Sequence, residues 1–83
     1  MAKYDKAIIT IVIKNIEIDI EIPLKVKIAD IDYMIKASIF NVDYNLISVQ
    51  EECDYYFDNE KLEKELSFSE QGVWEGSIVK CMQ

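Results

Sequence analysis

Between residues 16 and 22 every second position is isoleucine. Ile16, Ile18, Ile20 and Ile22 are separated by Glu17, Asp19 and Glu21, a period-two pattern that gives a strand one apolar face and one wet face. Just upstream, Ile9, Ile11 and Ile13 alternate with Ile8, Thr10 and Val12, and Lys14 and Asn15 lie between the two runs. Asparagine tolerates the left-handed backbone of a tight turn. The pattern predicts a hairpin with strands over residues 7–14 and 16–22, closed off by Pro23, which has no ladder donor. The period then changes. Ile28, Ile31, Ile35 and Ile39 are three, four and four apart, with Met34 and Ser38 beside them. This is one face of a helix about three turns long, spanning roughly residues 26–40. Asp30, Asp32, Tyr33 and Lys36 fall on its other faces. Asp30 and Asp32 sit in its first turns, where the helix dipole favours them, but no good capping residue precedes Val26.

The pattern is weakest over residues 41–53. Asn41 to Asn45 reads as a loop, while Leu46, Ile47, Ser48 and Val49 fit either a short strand or a loop packed on the core. Asp54, Tyr55, Tyr56 and Phe57 form a better strand, because the polar turn at Asp58 and Asn59 follows at once. A short strand near Leu62 comes next. Ser67 and Glu70 then have the spacing of a capping box, in which each side chain bonds the other residue's backbone N–H. That starts a very short helix with Phe68 pointing inward, ended by Gly72 in a left-handed cap. Glu75 and Gly76 turn the chain into a last strand of Ile78, Val79, Lys80, Cys81 and Met82. Strand, strand, helix, strand, short strand, short helix, strand is an α+β order: a mixed sheet with one helix packed on one face.

Composition narrows the function. The 83 residues carry a net charge of −7, and every basic residue is a lysine. Nucleic-acid binding is not expected, since phosphate neutralisation needs a basic stripe, and an anionic membrane surface is equally unsuited. Residues 1–6 form a polar N-terminal tail without the apolar core of a signal peptide. Apolar runs are too short for membrane insertion. The chain contains no histidine, so the commonest general base and metal ligand is missing. The acidic residues Asp58, Glu60, Glu63 and Glu65 lack the spacing and glycine of a calcium loop. No cofactor, metal or catalytic residue is expected. Two cysteines are too few for a disulfide framework; Cys53 and Cys81 are expected as reduced thiols in a cytoplasmic protein, with Cys81 as core filler.

From residue 7 to 82 this order resembles the ubiquitin superfamily and its β-grasp fold. Ile28, Ile31 and Ile35 look like its buried helix face, Tyr55, Tyr56 and Phe57 like its third strand, and Leu62 with Phe68 like the pair closing its loop. The segment Phe68-Ser69-Glu70-Gln71-Gly72-Val73-Trp74-Glu75-Gly76-Ser77 is similar to the late turn of the bacterial YukD/EsaB family. Those are standalone ubiquitin-like proteins of type VII secretion systems. The loop between helix and third strand is several residues longer here. The resemblance implies a single ubiquitin-like domain over residues 1–83 and membrane-bound secretion machinery as the protein partner.

A conjugated modifier or a sulfur carrier needs a flexible tail ending in Gly-Gly, which threads a narrow channel. The predicted last strand reaches Met82 with only Gln83 beyond, so non-covalent binding is expected. The alternatives are a modifier cut short of its tail and a binding domain excised from a larger protein. Alternation turns Ile9, Ile11, Ile13, Tyr55, Phe57, Val79 and Cys81 toward the helix. The open sheet face then receives Ile8, Thr10, Val12, Tyr56, Ile78, Lys80 and Met82, and an exposed apolar patch usually marks a partner. Two plainer readings stay open: ordinary surface exposure of apolar residues, or cover by residues 1–6. Trp74, beside the Glu75-Gly76 turn, is either an exposed anchor or a ring packed on the edge of Phe68.

Overall fold

A computed structural model describes residues 6–83; the first five residues, and so most of the expected polar tail, lie outside the described residues. Lys6 already belongs to the first strand. The elements are β1 (Lys6–Ile13), β2 (Ile16–Pro23), α1 (Ile28–Val42), β3 (Asp54–Phe57), β4 (Glu60–Lys61), a 3-10 turn (Ser69–Gln71) and β5 (Ile78–Met82). One sheet holds all five strands in the order β2-β1-β5-β3-β4. Central β5 runs parallel to β1, and the other neighbours are antiparallel.

Local chemistry sets the corners. Lys14 and Asn15 take φ of 50° and 67°, and Asp58 and Asn59 take 52° and 68°, so both hairpins close through two-residue turns in the left-handed backbone region, whose twist matches the right-handed twist of the flanking strands. Gly72 caps the 3-10 turn at φ 87°. The capping box forms: Ser67 N–H donates to Glu70 Oε1 at 2.8 Å, and Glu70 N–H to Ser67 Oγ at 3.2 Å.

The helix starts two residues later than expected and runs to Val42, so Asn41 and Val42 are helical and not loop. Its N-terminus has no side-chain cap. Carbonyls from a distant segment replace one: Ile28 N–H donates to Leu66 O at 3.0 Å and Ala29 N–H to Lys64 O at 2.9 Å. That satisfies donors which a helix otherwise leaves orphaned. Ile28, Ile31, Ile35 and Ile39 are buried and share one core with Ile9, Ile11, Tyr55, Phe68 and Val79.

Residues 46–49 form a core-packed loop, with Leu46 and Ile47 buried. The ε-amino group of Lys36, expected on an outer face, instead turns in under this loop. It donates to Glu51 O at 2.7 Å and lies 3.1 Å from Asp32 Oδ2. A second correction concerns the thiols. Cys53 and Cys81 are joined in a disulfide, with Cα atoms 6.3 Å apart. The physical reason is register: β3 pairs Tyr55 with Cys81, and residue 53 projects to the same face as residue 55. Their 28-residue separation hid that proximity in the sequence. Cys81 is buried as expected of core filler, but it is not a free thiol.

Candidate protein-binding face

Strand register decides which side chains share the open side of the sheet. Ile9, Ile11, Ile13, Tyr55, Val79 and Cys81 are buried beneath the helix, and Phe57 is half-buried against that core. The alternate positions emerge opposite. Thr10 is flanked by Asp19 on β2 and Ile78 on β5. Val12 is flanked by Glu17 and Lys80, and Lys80 in turn by Tyr56, which faces Lys61 on β4. Met82 lies beside Asp54. All seven residues expected on the open face are there.

They are not equally available. Ile8, Ile78 and Met82 are 46%, 58% and 56% exposed, while Thr10, Val12 and Tyr56 are half-buried. The exposed cation Lys80 stands between Ile78 and Met82 along β5. The apolar surface is therefore centred on Ile8, Ile78 and Val12, with Met82 at its far end. One side-chain and one backbone bond fix this centre: Ile8 N–H donates to the Glu75 carboxylate Oε1, and Gly76 N–H to Ile8 O, each at 2.9 Å.

Trp74 belongs to the turn beside this centre. Its N–H donates to Ser77 Oγ and its carbonyl accepts from Ser77 N–H, both at 2.9 Å, with Gly76 at φ 84°. The residue is 56% exposed. Phe68 packs edge-on against Tyr55 at 6.1 Å; the exposed reading of Trp74 is the one the structure shows.

Sequence reasoning missed two features of the surface. Glu17, Asp19 and Glu21, recognised only as the wet face of β2, lie on the same face as Ile8, Thr10 and Val12 and give it an acidic border. Asp19 Oδ1 accepts the Thr10 hydroxyl at 2.8 Å. Tyr33, Phe40 and Tyr44 are also exposed, on or just past the helix. Tyr33 and Phe40 are two helical turns apart, on the side away from the buried isoleucines, and the Phe40 and Tyr44 rings are 6.2 Å apart. The spacing of seven and four was visible in the sequence.

Two ionisable groups are displaced from their usual behaviour. Burial, reinforced by donating its hydroxyl to Asp32 Oδ1 at 2.6 Å, pushes the Tyr55 phenol well above its ordinary range. The Ser67 backbone N–H, then its hydroxyl, hold the Glu70 carboxyl below its usual value. Neither group lies on the open face. Among the described residues, no cluster of three or more histidine, cysteine or carboxylate side chains is placed to hold a metal ion. No helix among them is long and apolar enough to cross a membrane.

No protein-family model and no curated protein matches the sequence. Solved structures do match. The ubiquitin-like domain of the Mycobacterium tuberculosis type VII secretion system protein EccD1 superposes with a TM-score of 0.78 at 18% identity, covering 100% of both chains. The EccD5 ubiquitin-like domain from Mycobacterium xenopi gives 0.76 at 14% identity, over 93% of this chain and 92% of that one. A chain of the MycP5-free ESX-5 inner membrane complex gives 0.78 at 10% identity, over 94% of this chain but only 21% of the other. At such identities the likeness is one of fold. The chain has a ubiquitin-like β-grasp fold, similar to that of the ubiquitin-like domains of type VII secretion proteins.

Proposed function

We propose that this chain is a single, non-conjugating ubiquitin-like adaptor that binds proteins non-covalently through its open sheet face, as an accessory component of a type VII secretion system. The observation that carries the reading is the group of exposed apolar side chains, Ile8, Ile78 and Met82, on the sheet face opposite the helix. Isolated exposed apolar residues are ordinary, whereas a group on one rigid face favours a partner. Trp74, on the turn beside Ile8, supplies a candidate anchor of the type that dominates interface energies.

Gln83, just past β5, is tied by its side chain to the loop after the helix: Nε2 donates to Ser48 O at 2.7 Å and Glu51 O at 3.1 Å, and Oε1 accepts from Ser48 N–H at 2.9 Å. Two solved neighbours support protein partners. One lies within an inner membrane complex, and another is ATBAG1 in complex with HSP70, which matches at a TM-score of 0.70 and 12% identity over 93% of this chain and 40% of that one. The adaptor works in the cytoplasm and reaches the membrane through a protein complex. Burial of both sulfurs of the Cys53–Cys81 bond restricts thiol attack in that reducing compartment.

The test is capture from detergent-solubilised membranes of the native cell. Ile78→Ser with Met82→Ser changes only exposed side chains and is expected to cost no more than about 0.5 kcal/mol each, yet to deplete the captured membrane proteins. Equal recovery by the double variant and the wild type would remove the open face as the docking surface.

A further inference from the structure

The two edges of the sheet are unlike. β4, at one edge, is two residues long, whereas β2, at the other, is eight residues long and carries proline only at its last position. Pairing on its inner side is complete from Ile16 to Pro23. A two-residue turn makes Ile13 and Ile16 a hydrogen-bonded pair, after which bonded and non-bonded pairs alternate. Ile18, Ile20 and Ile22 therefore direct their backbone groups toward β1. Glu17, Asp19 and Glu21 direct theirs outward, where no bond to another described residue meets them. The same three residues place their carboxylates on the open face. Among the described residues Glu17 and Glu21 have no ion pair, and Asp19 has only the Thr10 hydroxyl.

We infer that the outer edge of β2 accepts an added antiparallel strand: an extended partner segment in which lysine or arginine alternates with apolar residues. An unpaired edge is a template for another strand, and charge selects which strand it takes. In the antiparallel register, residues directly opposite Glu17, Asp19 and Glu21 exchange backbone bonds with them and share their face. Cations there meet a carboxylate at each position. Intervening residues turn toward the helix side, beside the edge-most core residues Ile18 and Ile20. A second copy of β2 is disfavoured, because it would lay its own carboxylates against these, and like charges directly opposed destabilise a pair. This site is distinct from the apolar centre at Ile8 and Ile78 and does not depend on that surface binding anything.

The probe is the capped peptide Lys-Val-Lys-Val-Lys-Val, titrated into the full chain and followed by backbone amide NMR. Amides of Glu17, Asp19 and Glu21 are expected to shift and to exchange with solvent more slowly. Methylating the lysine backbone nitrogens keeps every charge and removes the donors that face β2, so it is expected to abolish binding. Glu17→Lys with Asp19→Lys and Glu21→Lys is expected to weaken the lysine peptide about tenfold or more and to admit its glutamate counterpart. The Ile78→Ser, Met82→Ser variant is expected to bind the peptide as the wild type does. Equal affinity of the methylated peptide would reduce the interaction to charge attraction and overturn the inference. Absence of binding, which would leave the acidic row as edge protection only, or dimerisation of the free chain through β2 overturns it equally.

Discussion

Ser67 and Glu70 show how far residue-scale reasoning reaches. Their reciprocal bonds were legible because a capping box is local, three residues from end to end, and the structure closes both. The bonds favour the ionised carboxylate and hold Glu70 below its usual value of 4.5. A depressed carboxyl contributes stability above the unfolded value, and the contribution is lost as pH falls through that value toward the folded one. Glu70→Gln is therefore expected to lose part of the wild type's acid sensitivity. Urea midpoints at neutral pH and at pH about 3 check this: the wild type should fall further on acidification, and parallel falls in both proteins would leave the cap without ionic character. Lys36 marks the opposite limit. A helical wheel sets it on an outer face, yet it is buried, because a loop 15 residues away covers it and supplies an acceptor for its ammonium. The Tyr55 hydroxyl reaches Asp32 across 23 residues and was equally invisible.

At the scale of elements, strands and turns were legible wherever period and turn chemistry agreed. The first hairpin falls within a residue of its expected bounds and β3 falls on them, because Asn15, Asp58 and Asn59 at positive φ mark the turns; the short strand expected near Leu62 lies just before it, at Glu60–Lys61. The helix start was not. Its missing cap was read correctly, yet the remedy is tertiary: carbonyls of Lys64 and Leu66 receive the first helical N–H groups, so the boundary depends on a segment more than thirty residues away. The loop after the helix presents the same difficulty. Leu46 and Ile47 carry too few residues to distinguish strand from packed loop by period. What holds the loop down are long-range bonds from Lys36, Gln83 and Lys14, the last donating to Asn45 O at 3.4 Å. Lys36→Met keeps the apolar stem and deletes the ammonium. A hydrogen bond involving a charged group contributes about 1.5–3 kcal/mol, and here the loss should concentrate in the loop. Amide exchange of Leu46 and Glu51 is expected to accelerate while that of Ile9 and Ile11 barely changes. Uniform acceleration would show that the loop opens only with the whole domain.

For the molecule as a whole, the sequence specified a β-grasp and a helix-covered core, but not the composition of each face. The alternation of β2 was plain; that its acids border the β1 patch follows only from the sheet order. The disulfide is a whole-molecule property of the same kind, since it depends on β3 and β5 pairing around Tyr55 and Cys81. Its consequence is large for a domain of 83 residues, which buries a smaller share of its surface than a larger one. Closing a loop over a separation of 28 residues removes unfolded-chain entropy equivalent to about 3.5 kcal/mol. That is a substantial fraction of the ~5–15 kcal/mol typical of a folded domain. For a chain of this size it corresponds to about 15–25 °C in Tm. Cys53→Ala with Cys81→Ala is therefore expected to melt lower than the oxidised wild type by roughly that interval, and to be insensitive to added thiol. Wild type unfolded and refolded in reductant should converge on the variant. The open face lies on the other side of the sheet from both sulfurs, so the variant should still capture partners below its Tm. If oxidised and reduced wild type melt together, the bond restrains nothing that the core does not already hold. Stability would then rest on the isoleucine packing alone.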